Sequence, residues 1–183
     1  AKVRPIKNMA GGEDFNEVVF EDVVVPKDRI VGEAGNGWAQ VTSELAYERS
    51  GPERFLSAFR VFVELVRFCG PEPTQYQATV IGRIASHIMT LRRMSISVAG
   101  MLESGKDVVV EAALVKELGN NFEKLLPELA RVVGSDGFSD FSRDGDLFRR
   151  TFEDTMLLSP SFTLRGGTRE ILRGVIARGL GLR

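Results

Sequence analysis

The sequence predicts an all-α architecture: an antiparallel four-helix bundle preceded by a short N-terminal β segment left from a truncated β-domain. Three observations lead there. Residues Phe15 to Val25 read FNEVVFEDVVV, dense in β-branched and aromatic residues, and Pro26 stops the run. From Trp38 onward the apolar residues recur in steps of three and four, the period of one helix face. Each long apolar stripe is then separated from the next by a short run of Gly, Pro, Ser or Asp, so successive helices fold back on one another.

The elements follow in order. Residues 1–35 read as strand and turn, with Gly11-Gly12 and Gly32-Glu-Ala-Gly-Asn-Gly37 as breakers. Two or three short strands do not make a stable sheet alone, so this segment is expected to complete a sheet contributed by a portion that precedes it. Residues 36–183 form the helical domain. Its first seam is Trp38, Val41, Leu45, Glu48, Pro52, Phe55, Phe59, Phe62 and Val66. After the break at Phe68-Cys-Gly-Pro-Glu-Pro73, a second helix carries Ile81, Ile84, Ile88, Leu91, Val98 and Leu102. A third carries Leu114, Leu118, Phe122, Leu125, Leu129 and Val132, and Gly134-Ser-Asp-Gly137 closes it. Residues 144–158 read as a shorter helix and Ser159 to Gly167 as a loop. Thr168 then caps a last helix with Ile171, Leu172, Val175, Ile176 and Leu180 facing inward.

Composition narrows the function. The chain has 183 residues, 43% hydrophobic and 27% charged, which argues for a folded domain. With 24 basic and 25 acidic residues the net charge is −1, so no basic field exists to hold nucleic acid or a membrane surface. No apolar run is long enough to span a bilayer and no signal peptide is visible. The single Cys69 excludes an internal disulfide. The expected location is the cytoplasm.

Glu48 is the first candidate for chemistry. It stands on the apolar seam where the pattern asks for another Leu, and Pro52, one turn later, lacks the N–H that would bond its carbonyl. A freed carbonyl needs a polar partner or a cavity, so the bundle is expected to open at this level. Two readings stand: a glutamate reaching past the seam to water or to an Arg, and a carboxylate held in a pocket as a general base. Arg49, one step off the seam, either faces solvent and pairs with Glu53 or holds the chain near Glu48. The second candidate is Leu164-Arg-Gly-Gly-Thr-Arg-Glu-Ile171. Its two glycines and Thr168 open a helix, an arrangement that serves either as a plain cap or as a site for an anion or oxyanion. His87 has no ligand-type partner at i+3 or i+4, and Cys69 has no nearby base, so metal and thiol chemistry are unsupported.

Taken together, Phe15 to Pro26, Ile30-Val-Gly-Glu-Ala-Gly-Asn-Gly-Trp38, Glu48-Arg49 and Gly166-Gly-Thr-Arg-Glu-Ile-Leu-Arg-Gly-Val-Ile-Ala-Arg178 resemble an acyl-CoA dehydrogenase. The resemblance starts in the last strands of the family's middle β-domain, residues 1–35 here, and runs through its C-terminal helical domain, residues 36–183. It implies FAD-dependent α,β-desaturation of an acyl-CoA thioester, with an electron-transferring flavoprotein as acceptor and a homo- or hetero-tetrameric assembly. Many members keep the catalytic carboxylate at the position of Gly166, which has no side chain. A minority similar to isovaleryl- and long-chain-type enzymes place it in a Glu-Arg pair that matches Glu48, with Arg49 beside the substrate. The backbone N–H at Gly166 matches an enolate-stabilising donor, and Gly167, Thr168 and Glu170 match residues that touch the flavin's nucleotide part.

There are departures. Arg67 is off register for the family's Arg-x-x-Phe-Gly turn, Arg131 replaces a Gln, and Ser135 replaces a Gly. These changes keep a second reading open, a non-catalytic or assembly subunit of a heteromeric acyl-CoA dehydrogenase. The fragment alone is expected to be inactive.

Overall fold

The computed structural model describes residues 1–135 and 143–182. The chain divides into two compact units, Ala1–Glu44 and Leu45–Arg183. In the first, β1 (Lys2–Ile6) and β2 (Phe15–Val19) pair antiparallel, with Lys2 opposite Val19 and Ile6 opposite Phe15. Asn8 shapes the connecting loop, its Oδ1 accepting from the N–H groups of Ala10 and Gly12. The expected strand to Val25 stops at Val19. Asp22 takes a φ of 49°, a left-handed turn that ends extended pairing.

Helix α1 (Gly37–Ser50) gives way to a one-turn 3-10 helix at Pro52–Arg54, and α2 (Phe59–Cys69) follows. The interruption resets the phase of the apolar face. The expected seam ran through Phe59 and Val66, but both are exposed. The buried positions after the break are Phe55, Ala58, Val61 and Leu65. Trp38 and Val41, on the same expected seam, are also exposed. Among the inward-facing residues of α2 is Glu64, whose Oε1 accepts from Arg60 Nε at 2.7 Å and Arg67 Nη1 at 2.9 Å. The off-register Arg67 is thus engaged within its own helix.

Helix α3 (Gln75–Glu103) starts on a reciprocal cap: Gln77 N–H donates to Thr74 Oγ1, and Thr74 N–H donates to Gln77 Oε1. Val80, Ile84, Leu91 and Val98 form its buried stripe, in accord with the sequence pattern. Helix α4 (Val109–Val133) runs through the centre and packs against α2, α3, α5 and α6. Of its expected stripe, Phe122 is buried, Leu114, Leu125 and Leu129 are half-buried, and Leu118 and Val132 are exposed. The buried face is centred on Ala112, Val115, Lys116, Gly119, Phe122, Glu123, Leu126 and Ala130. Charged residues in that row read as a solvent face, and this is why the sequence pattern misplaces it.

Helix α5 (Arg143–Phe162) extends past the predicted end at residue 158 and through Pro160. Proline strips the Met156 carbonyl of its helical partner, and Ser159 Oγ donates to that carbonyl at 3.2 Å, so the helix continues. Of the expected Gly134–Gly137 turn, Asp136 and Gly137 lie outside the described residues. Phe148 stacks on Phe68 at 5.4 Å and closes the core between α2 and α5. Helix α6 (Arg169–Gly179) lies along α4, with Leu172 fully buried. Ile171 and Leu180, expected inward, are exposed, because α6 is covered on one side only. The all-α bundle with a short β segment is therefore the architecture observed.

Gly119 fixes the approach of α4 to the one-turn helix. A Cβ there would overlap the Arg54 carbonyl oxygen and lie 3.4 Å from Phe55 Cβ. Gly119→Ala should destabilise the bundle by about 1–3 kcal/mol, because backbone has to move. Thermal unfolding of purified wild-type and variant proteins checks this, and an unchanged Tm contradicts it.

Candidate functional site

The site grows from the interrupted turn. Pro52 has no N–H to donate to the Glu48 carbonyl, and Arg54, two residues on, supplies the missing bond. Its Nε donates to Glu48 O at 2.8 Å, and its Nη2 donates to Glu48 Oε1 at 2.7 Å. One guanidinium thus holds both the backbone and the side chain of Glu48. The Arg54 side chain is 8% exposed and that of Glu48 is 37% exposed, so the carboxylate faces partly outward while its partner is buried. Among the described residues no hydrogen bond reaches Glu48 Oε2.

Openings flank the break, as the sequence suggested. One, of about 350 Å³, is lined by Tyr47, Ser50, Gly51, Pro52 and residues of α3. Another, of about 450 Å³, reaches from Pro52 past Phe55 and Phe59 to Ile88. Between them Ser95 Oγ donates to the Ser50 carbonyl at 2.6 Å, tying the end of α1 to α3.

Across the bundle, the turn before α6 comes to the same place. Gly166 and Gly167 have φ of 68° and 109°, a left-handed conformation that favours glycine. A Cβ on Gly166 would stand 3.6 Å from Glu48 Oε1, 3.7 Å from Arg49 Cγ and 3.7 Å from Lys116 Cε. Arg49 does not pair with Glu53. It is buried, and its Nε donates to the Gly166 carbonyl at 2.9 Å. That bond sets the plane of the Gly166–Gly167 peptide. Burial lowers the pKa of Arg49, and the neighbouring Glu48 opposes the shift. Thr168 occupies the N-cap of α6, but its hydroxyl does not accept from a backbone N–H. The Glu170 carboxyl is held below the usual range by its own backbone N–H and the Thr168 hydroxyl.

Beneath the turn lies a buried polar layer that the sequence reading missed. Lys116 is fully buried. Its Nζ donates to Asn120 Oδ1 and, at 3.0 Å, to the Phe162 carbonyl. Its pKa falls from 10.5 to about 8, chiefly because burial disfavours the charged form. Glu123, also fully buried, accepts from Ser57 N–H at 3.0 Å and faces Arg165 Nη2 at 3.6 Å, and burial raises its pKa. Arg165 also donates to Ser57 Oγ and lies over the Phe162 ring. The signal was present in the sequence. Lys116, Asn120 and Glu123 interrupt an apolar row at helical spacing, just as Glu48 does.

Other candidates stay apart from this centre. His87 stacks on Phe122 at 5.6 Å and lines a groove of about 540 Å³ between α3 and α4. Burial raises the pKa of Cys69. Among the described residues no cluster of acidic, His or Cys side chains could hold a metal, and no helix is long and apolar enough to cross a membrane.

Glu117 ties α6 to α4, accepting from Arg169 and, at 2.9 Å, from Arg173 Nε. The arrangement therefore brings a carboxylate, a glycine turn at a helix start and a buried cation into one small volume.

Comparison with known proteins identifies the family. Residues 35–181 match the family profile described as acyl-CoA dehydrogenase, C-terminal domain. The acyl-CoA dehydrogenase IpdE1 of Mycobacterium tuberculosis is 30% identical over 186 residues, 99% of this chain and 47% of the relative. IpdE1 of Mycolicibacterium smegmatis is 28% identical over 188 residues, 99% of this chain and 46% of the relative. The chain spans about half the length of these curated relatives. In fold it is similar to a variant of the Tcur3481–Tcur3483 steroid ACAD, with a TM-score of 0.81 at 19% identity over 100% of this chain and 49% of the other. It is also similar to a chain of the ChsE4–ChsE5 complex from Mycobacterium tuberculosis, with a TM-score of 0.76 at 23% identity over 100% of this chain and 50% of the other. With the family profile covering most of its length, the chain belongs to the acyl-CoA dehydrogenase family and carries the family's C-terminal helical domain.

Proposed function

We propose that the full-length protein desaturates an acyl-CoA thioester between its α- and β-carbons, with FAD as cofactor and Glu48 as the base. One observation carries this reading. The Glu48 carboxylate, from α1, stands 3.6 Å from where a side chain on Gly166 would begin. Of these two neighbouring positions, Glu48 carries a carboxylate and Gly166 carries no side chain.

The roles follow from chemistry. The α-proton of a thioester is weakly acidic, so its removal needs a positioned base and stabilisation of the charge that develops on the carbonyl oxygen. Glu48 is positioned by Arg54 through Oε1, which leaves Oε2 to take the proton. The backbone N–H of Gly166 donates to the developing oxyanion. Arg49 keeps that turn in its left-handed form and lies beside the substrate. As the α-C–H bond breaks, its electron pair becomes the new double bond and hydride leaves the β-carbon. Bound FAD supplies the hydride acceptor. Gly167, Thr168 and Glu170 would hold its nucleotide part, and a turn of two positive-φ glycines at the positive end of α6 fits an anionic group. An electron-transferring flavoprotein would be the electron acceptor, and the assembly would be a homo- or hetero-tetramer.

A second reading, a non-catalytic or assembly subunit, draws on two observations. Arg54 already occupies Glu48 Oε1, and Arg67 is committed to Glu64. The flavin spectrum of the full-length protein, alone and with its partner subunit, separates the two. A colourless protein that gives no charge-transfer band with acyl-CoA favours the assembly role.

Glu48→Gln in the full-length protein should reduce turnover by about 10³-fold or more while flavin content is kept, since an amide cannot take the proton. Steady-state kinetics with flavin quantified by absorbance checks this, and near-normal turnover removes Glu48 as the base. Gly166→Ala forces a non-glycine residue to a φ of 68° and brings a methyl to 3.6 Å from Glu48 Oε1. It should cost about 1 kcal/mol in strain and lower kcat more than it raises KM.

A further inference from the structure

Lys116 lies in this layer, and the proposed chemistry gives it no role. Its side chain is fully buried, yet among the described residues it forms no ion pair. Two of its three donors go to neutral oxygens, the Asn120 side-chain carbonyl and the Phe162 backbone carbonyl. A buried cation without a contact counter-ion is costly to a fold, and such groups gather where charge is used.

The placement of Lys116 fits that use. Its Cε and the Glu48 Oε1 atom both lie within 4 Å of one point, the position of a Cβ on Gly166. Lys116 Cε and Glu48 Oε1 are therefore at most about 7 Å apart, both beside the glycine turn. The charges that act on it come from four elements: Glu48 from α1, Arg54 from the one-turn helix, Glu123 from α4 and Arg165 from the segment before α6. Glu123 and Glu48 attract the ammonium and Arg54 and Arg165 oppose it.

We propose that Lys116 is a positioning residue of the desaturation site, its ammonium supporting the Gly166–Gly167 turn from below and offsetting the negative charge that develops between Glu48 and that turn. The inference rests on the reading of Glu48 and Gly166 given above. It makes activity depend on the protonation of a residue that touches no substrate.

The test uses the full-length protein with its partner subunit and follows kcat/KM from pH 6 to 10. Wild type should lose activity on the alkaline side around pH 8, as Lys116 gives up its proton. Lys116→Met should be at least about tenfold slower at pH 7 and lack that alkaline limb. Asn120→Asp puts a carboxylate where the amide oxygen holds the ammonium, and should move the limb up by about one pH unit or more. A limb that persists unchanged in Lys116→Met, or stays in place in Asn120→Asp, overturns the proposal. If Lys116→Met fails to fold, the Asn120→Asp shift alone decides.

A second readout needs no turnover. The folded protein binds this proton less tightly than the unfolded chain does, at about 8 against 10.5, so the unfolded state carries more protons between those values. The Tm of wild type relative to Lys116→Met should therefore rise as pH increases from 8 toward 10 and stay level below 8. A flat difference throughout overturns the proposal. Glu48→Gln keeps the two readings apart. If it abolishes turnover while the Lys116→Met profile keeps its limb, only the role of Lys116 falls. If it retains turnover, the base assignment falls as well.

Discussion

The hold of Arg54 on Glu48 is the interaction on which the rest of the site depends. A helix interrupted by Gly51-Pro52 leaves a carbonyl without its N–H, and a bare carbonyl inside a bundle is unfavourable. Arg54 resolves it from two residues downstream and engages the carboxylate in the same gesture. The break thus turns a structural defect into a fixed orientation. It also rotates the chain, so that Ala58 before α2 and Val61 and Leu65 within it face the core in place of the continued seam. Without the break, Glu48 would be one more position on a straight helix, with no reason to face the turn that opens α6.

The opposite wall is built by the same means. Gly166 and Gly167 adopt backbone angles that other residues resist, and three side chains hold them there from different elements. Arg49 takes the Gly166 carbonyl, Arg165 reaches Ser57 and Glu123, and Glu117 anchors the first turns of α6 through Arg169 and Arg173. Arg49 reaches across 117 positions, Arg165 across 108 to Ser57, and Arg169 and Arg173 across 52 and 56 to Glu117. A planar guanidinium with five donors suits such bridging, since it can bind a backbone oxygen and a carboxylate at once. Such bracing suits the oxyanion-donor role proposed for Gly166, because a donor that must reorient during the reaction loses much of its value.

Much of this was legible in the sequence, and the limits have physical causes. The helical bundle, the β segment, the break at Pro52 and the glycine turn followed from period and punctuation. Glu48 stood out because it is a charge on an apolar row. The same test applied to Lys116, Asn120 and Glu123 would have marked the buried layer, but the apolar residues beside them, Leu114, Leu118 and Leu125, suggested a different face. On a central helix contacted from several sides both faces qualify, and periodicity alone cannot choose. Pro160 was read as a helix end because the bond from Ser159 to the Met156 carbonyl cannot be foreseen from local propensity. The pairing of Arg49 with Gly166 spans 117 positions and has no local signature at all.

The buried layer also bears on why the bundle tolerates so much charge. Among the described residues, Glu117, Asn120, Glu123 and Arg165 each keep a buried polar atom without a hydrogen-bond partner. Leaving one such atom unpaired costs on the order of 1–3 kcal/mol. Replacing this layer by apolar residues of similar shape would be expected to stabilise a bundle, as it does for other buried ion pairs. That the chain keeps it means the stability of this end of the bundle is spent on field rather than on packing. The core supports the expense elsewhere, through the fully buried Phe148, Leu65, Ile84, Leu126 and Leu172. The buried polar layer lies where Glu48 meets Gly166, and this is the physical reason for proposing the chemistry at the broken turn and not in the groove beside His87.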